Sequence, residues 1–224
     1  MSIPANLEDA YVKITHLVNT FILKNEIEFS NYKWSYFFNE VVEENDIDVF
    51  PHAFTQTSQG GVSGMLVKDL LGITLSYNPL DLDFRQNFSK CHELAHFLFH
   101  VTSYNENMIF KDMSTSYDED SSEIEFEANV AASIILLPDI VLVKLMKTSI
   151  SFIRMAENLE MSQAALYVRM VQFLEFNLSI SNISARRVIN SFRYDGSKEL
   201  FNLYISGFGC TLEKQIHLNF ENAL

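Results

Sequence analysis

The segment from Lys90 to His100, KCHELAHFLFH, constrains the fold more than any other part of the chain. It holds three of the six histidines, and two of them, His92 and His96, are four positions apart. On an α-helix, residues at this spacing lie one turn apart on the same face, so the two imidazoles can act together only if the segment is helical. Apolar residues give the predicted helix a side that can pack in a core: Phe88, Leu94, Phe97 and Leu98.

His92, Glu93 and His96 form the pattern H-E-x-x-H, whose residue types suit a metal site with a catalytic base. Two imidazoles on one helix face can both bind a single Zn²⁺. Glu93 is rotated by about 100° from His92, so its carboxylate can lie beside the open metal position and take a proton from water. The structural alternative is that both histidines are ordinary core or surface residues. His100 extends the row by one turn; metal binding and substrate orientation stay open for it, but a helix C-terminal cation or a hydrogen-bonding role is preferred.

A zinc site of this kind needs a third protein ligand. The segment SSEIEFEANVAASIILLP offers three carboxylates: Glu123, Glu125 and Glu127. Helical periodicity places the first and third of them on one side and Glu125 with Asn129 on another. Acidic residues also complement the positive end of a helix dipole, so at least one of the three is expected to have only that role.

The chain before the H-E-x-x-H segment begins with helix-like apolar stripes over its first 45 residues and then changes to strand-like alternation. IDVFPHAF is typical of one strand, and GVSGMLVKDLLGITLSYNP is typical of two strands with a turn near Gly72. The H-E-x-x-H helix is expected to run from about Phe84 to His100.

After this helix, residues 101–120 are polar and predict a loop. A second strong helix is expected from Ser121 or Ser122 to Pro138. FIRMAENLEMSQAALYVRMVQF then predicts two short helices that resemble a helix-turn-helix, with Ser162 as the N-cap of the second. Further on, LFNLYISGFG is typical of a strand.

Composition excludes several classes of protein. With 48% hydrophobic residues and only two cysteines, Cys91 and Cys210, the chain can bury a large core but has no disulfide framework. Cys91 is expected to be a buried small residue rather than a ligand. The most apolar run, Val130 to Leu137, is far shorter than the roughly 20 residues that span a bilayer. The N-terminus also lacks signal-peptide features, so a cytoplasmic protein with no membrane contact is predicted.

The net charge of −13 resides in the first 150 residues, which hold 9 Lys/Arg and 22 Asp/Glu, while the remainder holds 7 of each. An acidic surface repels nucleic-acid phosphates and favours a basic partner, although solubility alone explains the same charge. The helix-turn-helix-like segment, residues 151–176, contains two Arg and three Glu. Direct nucleic-acid binding is therefore not expected.

Four segments occur in an order and spacing more specific than H-E-x-x-H alone: ITLSYNP, RQNFSKCHELAHFLFH, EFEANVAASIILLP and MAENLEMSQAALYVRMVQF. Together they resemble the ImmA/IrrE family of metallo-endopeptidases over about residues 60–176. The resemblance implies an α+β fold, in which a zincin-like domain with a small antiparallel-type sheet precedes a helical region. Val130, where the family usually has Phe, and the last 48 residues depart from the family pattern.

In related zinc peptidases the third ligand is a Glu, followed four residues later by an Asp or Asn that supports a histidine ligand. Glu125 and Asn129 match this spacing, so the resemblance implies Zn²⁺ bound by Glu125 and the two histidines of the motif. Glu93 is then the catalytic base, and Glu127 is the alternative third ligand. Four side chains are candidates for a substrate contact or an oxyanion donor: His100, Tyr77, Tyr104 and Tyr117.

Members of the family commonly cleave a helix-turn-helix repressor and so relieve repression of mobile-element or stress-response genes. The resemblance implies a protein substrate of that kind, an XRE-type repressor, with the ITLSY strand pairing with an extended substrate segment. The alternative is a non-proteolytic module that sequesters a regulator and uses metal only to stiffen its fold. An intact Glu93 favours catalysis, because a purely structural metal site needs no base.

These patterns predict three regions along the chain. A zincin-like metallopeptidase domain is expected over residues 1–138 and a helical, helix-turn-helix-like region over residues 139–176. The C-terminal segment, residues 177–224, has no predicted fold.

Overall fold

The computed structural model describes residues 4–54, 61–101, 107–113, 122–206 and 211–224. The chain divides into two compact units, which we call the sheet unit (Trp34–Leu136) and the helical unit (Met1–Lys33 with Leu137–Leu224). The sheet unit ends two residues before the boundary expected at residue 138. The described residues before Trp34, which the sequence assigned to the metallopeptidase domain, belong to the helical unit by their contacts.

The secondary-structure elements, in chain order, are α1 (Ala5–Lys24), a short 3-10 turn (Phe29–Asn31), α2 (Trp34–Glu44), β1 (Ile47–Pro51), β2 (Val62–Asp69), β3 (Gly72–Tyr77), α3 (Asp83–His100), β4 (Met108–Met113), α4 (Ser122–Leu136), α5 (Asp139–Met146), α6 (Phe152–Asn158), α7 (Gln163–Leu178), α8 (Asn182–Asp195), α9 (Glu199–Ser206) and α10 (Thr211–Glu221). The sheet unit contains α2, α3, α4 and the four strands, and the helical unit contains the other helices.

The sheet has the strand order β1-β3-β2-β4. β2 pairs in antiparallel fashion with β3 and β4, which agrees with the predicted antiparallel-type sheet, and β1 runs parallel to β3, so the sheet as a whole is mixed. β3, which contains ITLSY, hydrogen-bonds to a neighbour on each side. The predicted substrate pairing along this strand is therefore wrong, because its backbone donors and acceptors are already used within the sheet.

β4 is the strand that the sequence did not predict, since it lies within the expected 101–120 loop. Its side chains alternate as a strand requires: Ile109 is exposed, Phe110 is half-buried and Asp112 is buried. A carboxylate at an inward position hides the alternation of polar and apolar residues. Arg85 pairs with Asp112 in the structure, which makes burial of this carboxylate possible.

The H-E-x-x-H helix, α3, lies between the sheet and α4 and contacts β2, β3, β4 and α4. All residues from Cys91 to His96 are buried, which a helix shows only when it is covered on more than one side. The predicted extent, from about Phe84 to His100, agrees with the observed Asp83–His100. Cys91 is buried, as expected.

α4 begins at Ser122, within the predicted range, and ends two residues before Pro138. Its first turn is exposed at Glu123 and Ile124, whereas Ala128 and the residues from Val130 onward are buried. The N-terminal turn of α4 is therefore at the surface, and its C-terminal half is buried in the core. Among the described residues, no single helix is long and apolar enough to cross a membrane; only α4 and α5, broken at Pro138, meet the length and composition criterion together.

In the helical unit, α6 and α7 meet at Glu160, whose φ of +55° breaks the helical path. The Ser162 hydroxyl accepts a hydrogen bond from the Ala165 N–H, so Ser162 caps α7 as predicted. The strand predicted for LFNLYISGFG, residues 200–209, is wrong over residues 200–206, which lie in α9, and its last three residues lie outside the described residues. Phe201 and Ile205 are buried one turn apart, whereas Leu203, which a strand would place with them, is 56% exposed.

A buried polar cluster lies inside the helical unit. The Arg169 guanidinium is fully buried and donates to the backbone carbonyl of Leu137 at 2.9 Å and to the carboxylate of Asp139. The Tyr11 hydroxyl donates to the same carboxylate at 2.7 Å and accepts from Asn177 at 2.8 Å. Arg169, which the sequence placed in a possible DNA-contacting segment, is therefore an internal structural residue.

Candidate metal centre

The two histidines of the motif converge on one point in the sheet unit. His92 and His96 lie one turn apart on α3, are almost completely buried, and have their Nε2 atoms 3.0 Å apart. Two buried imidazole nitrogens at this distance form a ready pair of donors for one cation.

Glu125 of α4 completes the cluster. Its Oε2 lies 3.1 Å from Nε2 of His92, and its Oε1 lies 3.4 Å from Nε2 of His96. In a tetrahedral site with bonds of about 2.0–2.1 Å, donor atoms lie about 3.3 Å apart. The spacing of these three residues therefore suits a tetrahedral divalent cation, and they form a metal-ligand group within the described part of the chain.

Each histidine also has a partner on its other ring nitrogen. Nδ1 of His92 lies 3.1 Å from Oδ1 of Asn129, the residue that the family resemblance proposed as the support of a histidine ligand. Nδ1 of His96 lies 3.0 Å from Nδ1 of His100, whose Nε2 lies 3.1 Å from Oε2 of Glu127. Glu127, the alternative third ligand, thus contacts His100, while Glu125 contacts both histidines of the motif.

The protonation preferences of the cluster are compatible with metal binding. Burial lowers the pKa of His96 to about 4, because it disfavours the imidazolium. Burial alone would raise the pKa of Glu125, but its polar contacts with the ring nitrogens of His92 and His96 outweigh it and lower the pKa to about 2. His92 has a raised pKa, since its hydrogen bond to Glu125 and nearby carboxylates outweigh the effect of burial. A cation placed here would replace the proton that these groups share.

Glu93 is fully buried beside this cluster. The backbone N–H of Asp112 donates to its Oε1 at 3.2 Å, whereas its Oε2 is buried with no hydrogen-bond partner among the described residues. Burial raises the pKa of Glu93 to about 8, despite the lowering effect of His92. A buried carboxyl oxygen without a partner needs one, and a water molecule in the site would supply it.

The side chain of Glu93 lies close to two strands, β2 and β4. Gly64 of β2 lies so near that a Cβ at this position would be 2.8 Å from Oε1 of Glu93. On β4, the side chain of Asp112 accepts two hydrogen bonds from Arg85, at 3.0 and 2.8 Å, and one from Ser89 at 3.0 Å. These contacts tie β4 to α3 at the position of the carboxylate.

The sequence did not reveal the roles of Gly64, Arg85, Ser89 and Asp112. Asp112 lies in the strand that was predicted to be a loop, and a glycine in a strand carries only a general signal of close backbone approach. Phe110 was missed for the same reason; its ring stacks on that of His96 with centroids 4.6 Å apart.

The structure gives different positions to the side chains that were predicted to contact the substrate or donate to an oxyanion. His100 lies next to His96, as described above. The ring of Tyr77 lies 3.9 Å from Nζ of Lys90, and among the hydrogen bonds and ring contacts of the described residues none joins it to the metal-ligand group. Tyr104 and Tyr117 lie outside the described residues.

This fold and site define a zincin-like α+β domain with a His-His-Glu cluster beside a buried glutamate. The family model of the IrrE N-terminal-like domain, Peptidase_M78, matches residues 42–171. The chain therefore belongs to the Peptidase_M78 family, which confirms the resemblance to ImmA/IrrE proteins and supports a metallopeptidase-type function. No curated protein matches the chain.

Proposed function

We propose that the protein is a zinc-dependent endopeptidase that cleaves a specific protein substrate. The observation that carries this proposal is the convergence of the donor atoms of His92, His96 and Glu125, 3.0–3.4 Å apart, beside the buried Glu93. Two imidazoles and one carboxylate are a ligand set found in catalytic zinc sites that keep a position open. A purely structural site has no use for a further buried carboxyl without a partner.

His92, His96 and Glu125 would hold the Zn²⁺. A bound Zn²⁺ supplies Lewis acidity, which polarises the carbonyl of a peptide bond and makes water more acidic. Glu93 is the proton carrier of this chain. Its Oε2 accepts a proton from the attacking water, and the same proton is returned to the nitrogen of the peptide bond as the C–N bond breaks.

The backbone N–H of Asp112 keeps Glu93 in place while the proton moves, because it holds Oε1 and leaves Oε2 as the reacting oxygen. Burial raises the pKa of Glu93 in the metal-free site, and the positive charge of a bound Zn²⁺ would lower it again and so favour the carboxylate form that accepts the proton. The glycine at position 64 leaves space for this position of the side chain, because a Cβ there would lie 2.8 Å from Oε1 of Glu93.

We propose that an extended substrate segment adds to the edge of β4. Among the described residues, β4 has a sheet neighbour only on its β2 side. Its residues Phe110 and Asp112 contact His96 and Glu93, so a segment paired along this strand would pass the candidate metal centre. Strand addition uses backbone hydrogen bonds, which suit a peptide substrate.

The proposed substrate is a helix-turn-helix repressor of the XRE type, whose cleavage would relieve repression. Two features support this choice: the chain's family and its net charge of −13, which favours a partner with a basic DNA-binding surface. The purified protein, loaded with Zn²⁺, is expected to cut a repressor encoded beside its gene at one site, as seen by mass spectrometry of the fragments.

Glu93→Gln is the informative variant in this experiment, because the amide keeps the shape of the side chain but cannot accept the proton. We expect it to retain Zn²⁺ and lose cleavage by about 10²–10⁴-fold. Glu123→Gln, on the exposed first turn of α4, is the matched control and should cleave normally. Cleavage by Glu93→Gln at the wild-type rate would contradict the proposed mechanism. A Glu93→Gln variant that relieves repression without cleavage would instead favour the sequestering module.

A further inference from the structure

The site contains a hydrogen-bonded chain of three side chains that ends on one of the candidate metal ligands. Nδ1 of His96 faces Nδ1 of His100 at 3.0 Å, and Nε2 of His100 faces Oε2 of Glu127 at 3.1 Å. His100 follows His96 by one helical turn on α3, while Glu127 reaches it from α4. The two helices thus meet through this chain as well as through Glu125.

The position of each proton in this hydrogen-bonded series follows from the carboxylate of Glu127 at its end. A carboxylate can only accept, so the contact with Glu127 requires a proton on Nε2 of His100. With both rings neutral, Nδ1 of His100 is then an acceptor, and the proton between the two rings belongs to Nδ1 of His96. This leaves Nε2 of His96 without a proton, and it is this atom that faces His92 and Glu125.

We propose that His100 and Glu127 are positioning residues that hold His96 as the Nδ1-protonated tautomer, with Nε2 free to bind the metal. The inference rests on the proposed function only in requiring that a divalent cation binds this cluster. A neutral imidazole whose other nitrogen donates to a fixed acceptor is a better metal ligand, because its orientation and tautomer are decided in advance.

Packing around the rings supports this role. Phe110 stacks on the His96 ring with an interplanar angle of 17°, which restricts its tilt but leaves rotation within the ring plane to be fixed by a hydrogen bond. His96 is fully buried and the His100 side chain is 10% exposed, so solvent has little access to replace the contact. His92 has a separate partner, Asn129, so the two ligands are supported independently.

The separation of the two carboxylates, Glu125 and Glu127, explains why His100 lies between His96 and Glu127. Glu125 already brings one carboxylate to the cluster. With His100 interposed, Glu127 acts on His96 through a neutral ring, and its negative charge remains outside the group of donor atoms. Glu125 is thus the one carboxylate that would coordinate the metal, while Glu127 supports the His96 ligand through His100.

Two amide substitutions of His100 separate the contacts that it makes. In His100→Asn the amide oxygen can take the place of Nδ1 and accept from His96, but the side chain is too short to reach Glu127. In His100→Gln the amide can take the place of Nε2 and reach Glu127, but it offers no acceptor at the position of Nδ1. Both remove the imidazole, so loss of the ring itself affects them equally.

The test is zinc affinity, measured by chelator competition on the full chain with folding checked by circular dichroism. We expect His100→Gln and His100→Ala to bind Zn²⁺ about 10- to 100-fold more weakly than wild type, while His100→Asn stays within about threefold. Glu127→Gln should weaken binding by less than His100→Ala, since it acts through one more hydrogen bond. His16→Gln removes an exposed histidine of α1 and is the control.

A second readout follows the tautomer directly. The ring ¹⁵N shifts of His96 in the metal-free protein should show a proton on Nδ1 in wild type and in His100→Asn, and a mixture of tautomers in His100→Gln. A general loss of stability would not produce this difference between two amides.

The outcomes distinguish the two proposals. Wild-type protein that fails to bind Zn²⁺ would overturn the proposed function, and this inference with it. Two results would overturn the role of His100 alone. One is equal Zn²⁺ affinity of the wild-type protein and His100→Ala, and the other is an equal loss of Zn²⁺ affinity in His100→Asn and His100→Gln.

Discussion

Gly64→Ala tests how tightly the proposed base is held. A Cβ at this position would lie 2.8 Å from Oε1 and 2.9 Å from Cγ of Glu93. Because non-bonded carbon atoms prefer separations of about 3.5–4.0 Å, one of the two residues must move by roughly 0.6 Å or more. Gly64 is held between Tyr77 of β3 and Asp112 of β4, so the side chain of Glu93 is the part that yields.

The size of the effect follows from this displacement. General bases contribute about 10²–10⁴-fold to rate, and a misplacement of about 1 Å can cost about 10²-fold. We therefore expect kcat to fall by about 10- to 100-fold, which corresponds to about 1.4–2.7 kcal/mol of activation free energy. Zinc content should stay at the wild-type level, because the added methyl group approaches Glu93 rather than the three metal-ligand residues.

A double-mutant cycle checks the contact without any substrate. Overpacking of this kind costs about 1–3 kcal/mol, which urea unfolding can measure. In a Glu93→Ala background the same change at Gly64 should cost much less, since the crowding atoms are gone. An unchanged kcat in Gly64→Ala, or the same destabilisation in both backgrounds, would refute the reasoning.

Four further predictions follow from the described contacts. Arg169→Met leaves the buried Asp139 without its cation and should lower the free energy of unfolding by about 3–5 kcal/mol in urea titrations; a loss below about 1 kcal/mol would contradict the buried pairing. Asn129→Ala removes the partner of a histidine ligand and should weaken Zn²⁺ binding by about 10-fold or more in chelator competition, with the melting temperature of the metal-free protein little changed. Asp112→Ala should lower kcat without abolishing Zn²⁺ binding, because it loosens the strand that holds Glu93; unaltered kinetics would show that the backbone contact suffices alone. Removal of zinc by a chelator should lower the melting temperature, and restored Zn²⁺ should raise it again in calorimetry, because the cation binds only the folded cluster.

The sequence predicted well those elements whose position depends on neighbouring residues, such as a helical repeat, a cap or a proline. Helical periodicity and the stop at Pro138 located α3 and α4 closely, and Ser162 marked the start of α7. The errors occurred where local pattern and burial disagree. β4 places a carboxylate at an inward position, and LFNLYISGFG alternates like a strand although Leu203 is exposed in α9.

The same division holds for the candidate site. The spacing of His92 and His96 predicted their shared helix face, and Glu125 with Asn129 was proposed from the family resemblance. The contact of Glu127 with His100 could not be read from spacing, because it depends on how far α4 is shifted along α3 when the two helices pack. Glu127 therefore remained an alternative ligand until the position of each helix was known.

By itself, the sequence determined which residue types one helix presents together: two imidazoles, a carboxyl beside them and a third imidazole one turn later. A helix has a fixed rise and rotation per residue, so these relations need no other part of the chain. Only the tertiary structure decided what each group faces. Packing of α4 and β4 against α3 brings Glu125 to the histidines, the N–H of Asp112 to Glu93, and Glu127 to His100. Such contacts arise between segments far apart in the sequence, and their geometry is decided by side-chain packing in the core rather than by local periodicity.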